Sequence, residues 1–261
     1  MARLCTLASG SKGNSTYISA GSGDIIVDAG ISYKSFVTAL ECAGGDVNKL
    51  QAIAITHTHI DHIKGLKTFL KNVKIPVIAS ELTLKYLCEN NWLPPDAKLI
   101  AADNGVAIGN MHIDFFATSH DAEGSGGYVV NFSDGRRAAV CTDLGVMTDD
   151  IRQRLYGCNA VVIESNHDVD MLQHGPYPAS LKLRILSEDG HLSNNACATE
   201  LPQLLKSGTT RIILGHLSEE NNTPLLARSA AKTMLSQIGA QEGIDYILET
   251  AKQKTVGVTV F

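Results

Sequence analysis

The six residues His57-Thr58-His59-Ile60-Asp61-His62 constrain this chain more than any other stretch. They follow the apolar run Ala52-Ile53-Ala54-Ile55, which reads as a buried strand. The strand therefore delivers four metal-ligand side chains to its carboxyl end. His57 and His59 are spaced to converge on one ion across a turn. Asp61 and His62 are adjacent, point elsewhere, and suit a second ion beside the first. Imidazole and carboxylate without thiolate favour zinc, manganese or iron. A cluster of surface histidines is the plain alternative, and the aspartate inside the spacing argues against it.

The same context recurs along the chain. Apolar runs end at His120, at Asp143 and at His216, and an earlier one ends at Asp28. Ligand groups far apart in sequence, each closing a strand pattern, are what a site on the rim of packed sheets requires. Strands are expected at 4–7, 52–55, 76–79, 161–163, 211–214, 246–248 and 256–260. Hairpins are expected at 16–28 around Gly21-Ser22-Gly23, at 106–117, and at 128–142 around Ser133-Asp134-Gly135. Helices are expected at 32–43, 63–72, 81–91 and 224–238, with another ending near Lys206. The early part is strand-rich, the later part alternates strand and helix, and no linker, repeat or low-complexity segment stands out. An α/β (α+β) fold of two packed sheets with helices outside, in one domain over residues 1–261, accounts for this order.

A hydrophobic fraction of 44% supports a buried core, and a net charge of −5 gives no global pull toward nucleic acid. Such binding would need a local basic patch, and Lys64, Lys67 and Lys71 recur at helical spacing beside the histidine stretch, with Lys74 after them. The six cysteines are scattered without a C-x-x-C pair and read as buried small hydrophobes. The N-terminus lacks a signal-peptide pattern, and no apolar run approaches the ~18 residues of a membrane span. A cytoplasmic protein without membrane association is expected, with its oligomeric state open.

With H-x-H-x-D-H followed in order by a histidine, an aspartate and a final histidine, the chain resembles the metallo-β-lactamase superfamily. The resemblance implies a four-layered αββα sandwich with two divalent metal ions between the sheet edges. His57, His59 and His120 would hold the first; Asp61, His62 and His216 the second; Asp143 would bridge them, with Asp28 supporting the site. Residues 7–15, 62–66, Glu164-Ser165-Asn166-His167-Asp168 and Gly190-His191-Leu192-Ser193-Asn194 further resemble the WalJ/YycJ group, compact relatives of ribonuclease Z and ribonuclease J. No stretch has room for the β-CASP insertion of ribonuclease J or the exosite arm of ribonuclease Z.

That resemblance implies a 5′-to-3′ exonuclease acting on DNA ends. Asp61, Asp143 and His191 would be catalytic, His191 donating a proton or holding the phosphate. Ser9, Ser11 and Asn14 of the glycine-rich loop, with Lys64, His167, Ser193 and Asn194, are the expected substrate contacts. His112 and His174 are expected to be structural or exposed. One alternative is a hydrolase of a small phosphodiester, thioester or lactone on the same scaffold. A scaffold protein with a vestigial metal site is another, and seven filled ligand positions argue against it.

Overall fold

The computed structural model of the chain describes residues 2–20, 23–254 and 256–261. Apolar runs without polar alternation mark strands buried on both faces. Ile25 and Val27 enter one hydrophobic cluster while Ile26 enters another, and Val162 parts from Val161 and Ile163 in the same way. Strands of this kind need a layer on each side.

Strands β1 (Arg3–Ala8), β2 (Ser15–Ser19), β3 (Asp24–Val27), β4 (Leu50–Ala54), β5 (Val77–Ala79) and β6 (Leu99–Ala101) build one sheet. The second holds β7 (Val106–Ile108), β8 (Met111–Ala117), β9 (Gly126–Phe132), β10 (Arg137–Cys141), β11 (Ala160–Glu164), β12 (Arg211–Gly215) and β13 (Ile247–Thr250). Strand β14 (Gly257–Val260) returns to the first sheet beside β1. Both sheets repeat one pattern. β14-β1-β2-β3 pair antiparallel and β3 to β6 parallel. β7 to β10 pair antiparallel and β10 to β13 parallel. This repeat is invisible in the sequence because strand polarity constrains backbone pairing and not side-chain identity.

Helices α1 (Tyr33–Cys42), α2 (Ile60–Ile63), α3 (Leu66–Asn72) and α4 (Glu81–Glu89) follow strands of the first sheet, and Phe36, Leu40, Phe69 and Leu87 pack against it. The second half adds α5 (Asp149–Leu155), α6 (Val169–His174), α7 (Ala179–Ile185), α8 (Asn194–Lys206) and α9 (Pro224–Gln237). Ile151, Leu201, Leu204 and Leu235 from three of these cover the second sheet. Between the sheets, Leu4, Ile18 and Ile78 meet Ile113, Val130 and Val162. The result is the expected αββα sandwich. Among the described residues no helix is long and apolar enough to cross a membrane.

Three expectations are corrected. The helix expected over 63–72 breaks at Gly65, whose N–H donates to the Ala29 carbonyl at 2.9 Å. A Cβ there would lie 1.9 Å from the Ile31 carbonyl oxygen, so the close backbone approach requires glycine. Cys42 and Cys88 are exposed, on the last turns of α1 and α4, while the other four cysteines are buried. Helices α5, α6 and α7 were not foreseen. Gly21 and Ser22, at the tip of the expected first hairpin, lie outside the described residues.

Tyr128 links the two sheets just below the rim. Fully buried, it donates from its hydroxyl to the Ile55 carbonyl at 2.7 Å. Tyr128→Phe leaves that carbonyl without its cross-sheet donor and is expected to cost about 1–2 kcal/mol in urea unfolding. Unchanged stability would show that the bond adds nothing to the packing of the ring.

Candidate metal centre

Six strands deliver the polar groups to one rim. Asp28 follows β3, His57 follows β4, His120 follows β8, Asp143 follows β10 and His216 follows β12, while Glu164 is the last residue of β11. Asp28, Asp143 and His216 adopt left-handed backbone conformations (φ 65°, 62° and 52°). Non-glycine residues enter this region at a cost, and such strain gathers at functional sites. Here it turns the chain sharply at the strand end, leaving the side chain over the rim.

The ligand atoms fall into overlapping sets, each within 4.8 Å. One is His57, His59 and His120; another is Asp61, His62 and His216. Asp143 joins His57 and His62, and also Glu164, His191 and His216. Every imidazole of the two metal sets has one nitrogen held from outside. His57 Nδ1 meets the Thr56 hydroxyl at 3.0 Å, His62 Nδ1 the Asp28 carboxylate at 2.7 Å, and His120 Nδ1 the Gly190 carbonyl at 3.1 Å. His216 Nδ1 meets Glu164 at 2.7 Å, and His59 Nε2 lies 3.3 Å from Asp121. These outer contacts fix each ring and turn its other nitrogen inward, as metal-ligating histidines require.

Three of the inward atoms lack partners. His57 Nε2, His216 Nε2 and Asp143 Oδ2 are buried without a hydrogen bond. His120 Nδ1 donates to the Gly190 carbonyl, so the lone pair of its Nε2 faces His59 Nδ1 at 3.2 Å. Buried polar atoms without partners are costly. Cations between them remove this deficit, so these residues fit divalent metal ions.

Electrostatics agree. Burial opposes charge on His62, yet Asp143 and Asp28 outweigh it and hold its pKa up to about 9. Burial likewise opposes charge on His216, which Asp143, Asp61 and Glu164 nevertheless raise well above the ordinary imidazole value. His57 is driven down by burial and by neighbouring histidines. Burial would raise Asp61, but His216 and His62 hold it well below the usual carboxylate range. The carboxylates thus demand positive charge at the centre, and protons supply it when metal does not.

Glu164 is the functional residue that sequence reasoning missed. It is fully buried, and its oxygens accept from His191 Nδ1 at 2.9 Å, His216 Nδ1 at 2.7 Å, Leu144 N at 3.1 Å and Leu192 N at 3.0 Å. Burial would raise its pKa, but His191 and His216 hold it well below the ordinary value. Its position, a carboxylate closing an apolar strand, is the signal that singled out Asp143. Held through Nδ1, His191 presents its remaining ring edge to a cleft of about 350 Å³ over the centre. Ser11, Ile60, Asn166, Tyr177, Arg184 and Ser218 also line that cleft. Arg184 pairs with Asp121, the residue behind His59.

Several expected substrate contacts point inward instead. The Ser9 hydroxyl accepts from His216 N at 2.8 Å, and Asn14 reaches Asp61 at 3.1 Å and His62 Nε2 at 2.9 Å. Both brace the centre, leaving Ser11 as the member of that trio in the cleft. Ser193 caps α8 and Asn194 is buried against Ser165 and Asn222, because the loop turns into the helix there. His167 is buried, and burial lowers its pKa to about 4. Lys64 reaches the Lys12 carbonyl on the glycine-rich loop. Lys67 donates to Asn91 and Lys74 pairs with Asp96, because α3 runs back from the rim toward the loop before β6. The lysine stripe therefore leads away from the centre. His112 and His174 are both exposed.

The family described as "Beta-lactamase superfamily domain" matches residues 24–217. The chain is 38% identical over 237 residues to exodeoxyribonuclease YycJ of Bacillus anthracis, covering 89% of each chain. It is 34% identical over 244 residues to exodeoxyribonuclease WalJ of Streptococcus pneumoniae, covering 92% of this chain and 90% of WalJ. The crystal structure of the metallo-β-lactamase fold protein YhfI from Bacillus subtilis superimposes with a TM-score of 0.70 at 16% identity, over 99% of this chain and 100% of YhfI. Sequence and fold together make this chain a member of the metallo-β-lactamase superfamily, in the group of YycJ and WalJ.

Proposed function

We propose that this protein removes nucleotides from the 5′ end of DNA, using two divalent cations held by His57, His59, His120, Asp61, His62, His216 and Asp143. The observation that carries the reading is the meeting of two ligand sets at Asp143, with His191 fixed beside them at an open cleft. The likeness to YycJ and WalJ, both named exodeoxyribonucleases, makes the chain a hydrolase and supports DNA as the polymer. Zinc, manganese and iron all suit the donor set. The proposal takes residues 1–261 as one domain, and six free cysteines support a cytoplasmic location.

When bound, such ions lower the pKa of a water from 15.7 toward about 7 and draw charge from phosphoryl oxygens. The chain does the rest. Asp143 and Asp61 would hold the ions and orient the attacking water toward phosphorus. As the new oxygen–phosphorus bond forms and the bond to the departing oxygen breaks, His191 hands a proton to that oxygen. Glu164 holds the His191 ring through Nδ1 at 2.9 Å and so fixes the direction of its free edge.

End-labelled DNA tests the reading. With manganese or zinc, a 5′ label should be released at once as a mononucleotide, while a 3′-labelled strand shortens gradually; a chelator should stop both. Immediate release of the 3′ label would reverse the polarity. An intact polymer, with turnover of a small phosphodiester or thioester, would replace the reading by a small-molecule hydrolase.

Metal loading should also release protons. His62 and His216 are charged below their raised pKa values and must lose a ring proton to bind metal. Affinity is therefore expected to rise with pH from neutrality through about 9, the range in which His62 loses its proton. Calorimetry at pH 7 in buffers of different ionisation enthalpy should detect about one to two protons per chain; none would contradict the assignment of these two rings.

A further inference from the structure

A larger cavity, about 900 Å³, lies across the glycine-rich loop from the metal cleft. Ser11 lines the cleft, whereas the next residues, Lys12 and Gly13, line the cavity. Apolar groups of Leu7, Ile31 and Val256 face into it, and Lys12, Lys34, Lys64 and Lys254 surround it. No carboxylate is among the lining residues. In a chain with 27 acidic and 22 basic side chains, this is a local reversal of sign. Lysine ion pairs among the described residues are Lys12–Glu219, Lys74–Asp96 and Lys232–Glu242. Lys34, Lys64 and Lys254 therefore keep uncompensated charge. The pair Lys12–Glu219 sits where the two cavities approach, since Ser218 lines the metal cleft.

We propose that this cavity is a groove for the single strand of nucleic acid that continues past the scissile phosphate, a reading that rests on the nuclease function above. Phosphates pass from the centre over Ser11 and Lys12 to the lysine rim, and bases lie on the apolar floor. An anionic chain with flat apolar groups matches both features of the cavity. No aromatic side chain is among the lining residues, so base stacking adds little and the groove tolerates any sequence. The glycine-rich loop then acts from both sides, bracing the metal ligands through Ser9 and Asn14 and guiding the strand through Lys12. Lys34 and Lys254, exposed and not among the residues lining the metal cleft, take the role first expected of Lys64, Lys67 and Lys71.

The test uses metal-loaded protein and fluorescent phosphorothioate oligothymidylates of 4 and 16 nucleotides, which resist hydrolysis. Lys34→Ala/Lys254→Ala is expected to weaken binding of the 16-mer about tenfold and to flatten its log K against log salt slope by about 1.4, two phosphates at about 0.7 each. Affinity for the 4-mer and turnover of bis(p-nitrophenyl) phosphate should not change. Equal 16-mer affinity and slope in both proteins would overturn the groove, as would equal affinity of the wild type for both lengths. Failure of the nuclease reading looks different: the wild type would then hydrolyse no polymer, whatever the variant binds.

Discussion

Asp143→Ala is expected to lower exonuclease turnover by roughly 10³-fold, the effect of removing several kcal/mol of metal-centred stabilisation. Among the described residues, Asp143 is the carboxylate that lies beside histidines of both ligand sets. Its Oδ2 lies 3.4 Å from His62 Nε2, and its Oδ1 lies 3.8 Å from His120 Nε2 and 3.2 Å from His216 Nδ1. It is buried, and Oδ2 has no hydrogen-bond donor. Alanine would remove the carboxylate proposed to hold both ions. Thermal unfolding separates this loss from misfolding. Added metal should raise the melting temperature of the wild type far more than that of the variant, because a ligand stabilises only the state that binds it. A variant that gains as much stability from metal, and retains turnover, would remove Asp143 from the centre.

Glu164→Gln should produce the second large effect. The carboxylate accepts four hydrogen bonds, two from imidazoles and two from backbone amides. Glutamine keeps the shape but turns one acceptor into a donor and removes the charge that orients His191 and His216. Loss of such an outer partner costs about 10–100-fold in metal affinity or activity. Both are expected here, because one oxygen serves both rings: metal affinity through His216, and kcat through His191. Glu164→Ala would be a poorer probe, since unpaired buried donors and imidazoles would destabilise the fold by about 3–5 kcal/mol. If Glu164→Gln matched the wild type in metal affinity, kcat and the pH dependence of kcat, the residue would be packing alone.

The fold and the clustering of the candidate ligands were legible because they rest on local signals. His57 to His62 follow an apolar run directly, and His120, Asp143 and His216 repeat that context. Strands buried on both faces announce themselves as unbroken apolar runs, which is why β3, β4 and β11 were readable. What depended on distant partners was not. Glu164 meets His191 and His216 only after β11 and β12 align, 27 and 52 residues apart in sequence. The break at Gly65 is forced by the backbone at Ile31, which no helical periodicity reports. Helical spacing grouped Lys64 with Lys67 and Lys71, but the break at Gly65 separates Lys64 from α3, which carries the other two away from the rim. Tyr177 and Arg184 were missed because Pro176 and Pro178 interrupt any periodic pattern before α7. Ser9, Asn14, Ser193 and Asn194 have the side chains of an anion cradle, and hydrogen bonds inside the fold already occupy them.

Titrating metal into chelator-treated protein while recording the exonuclease rate tests the two-ion centre most directly. The rate is expected to stay near zero without metal and to saturate at two equivalents per chain, with Asp143→Ala flat throughout. Saturation at one equivalent, or full activity with none, would contradict it.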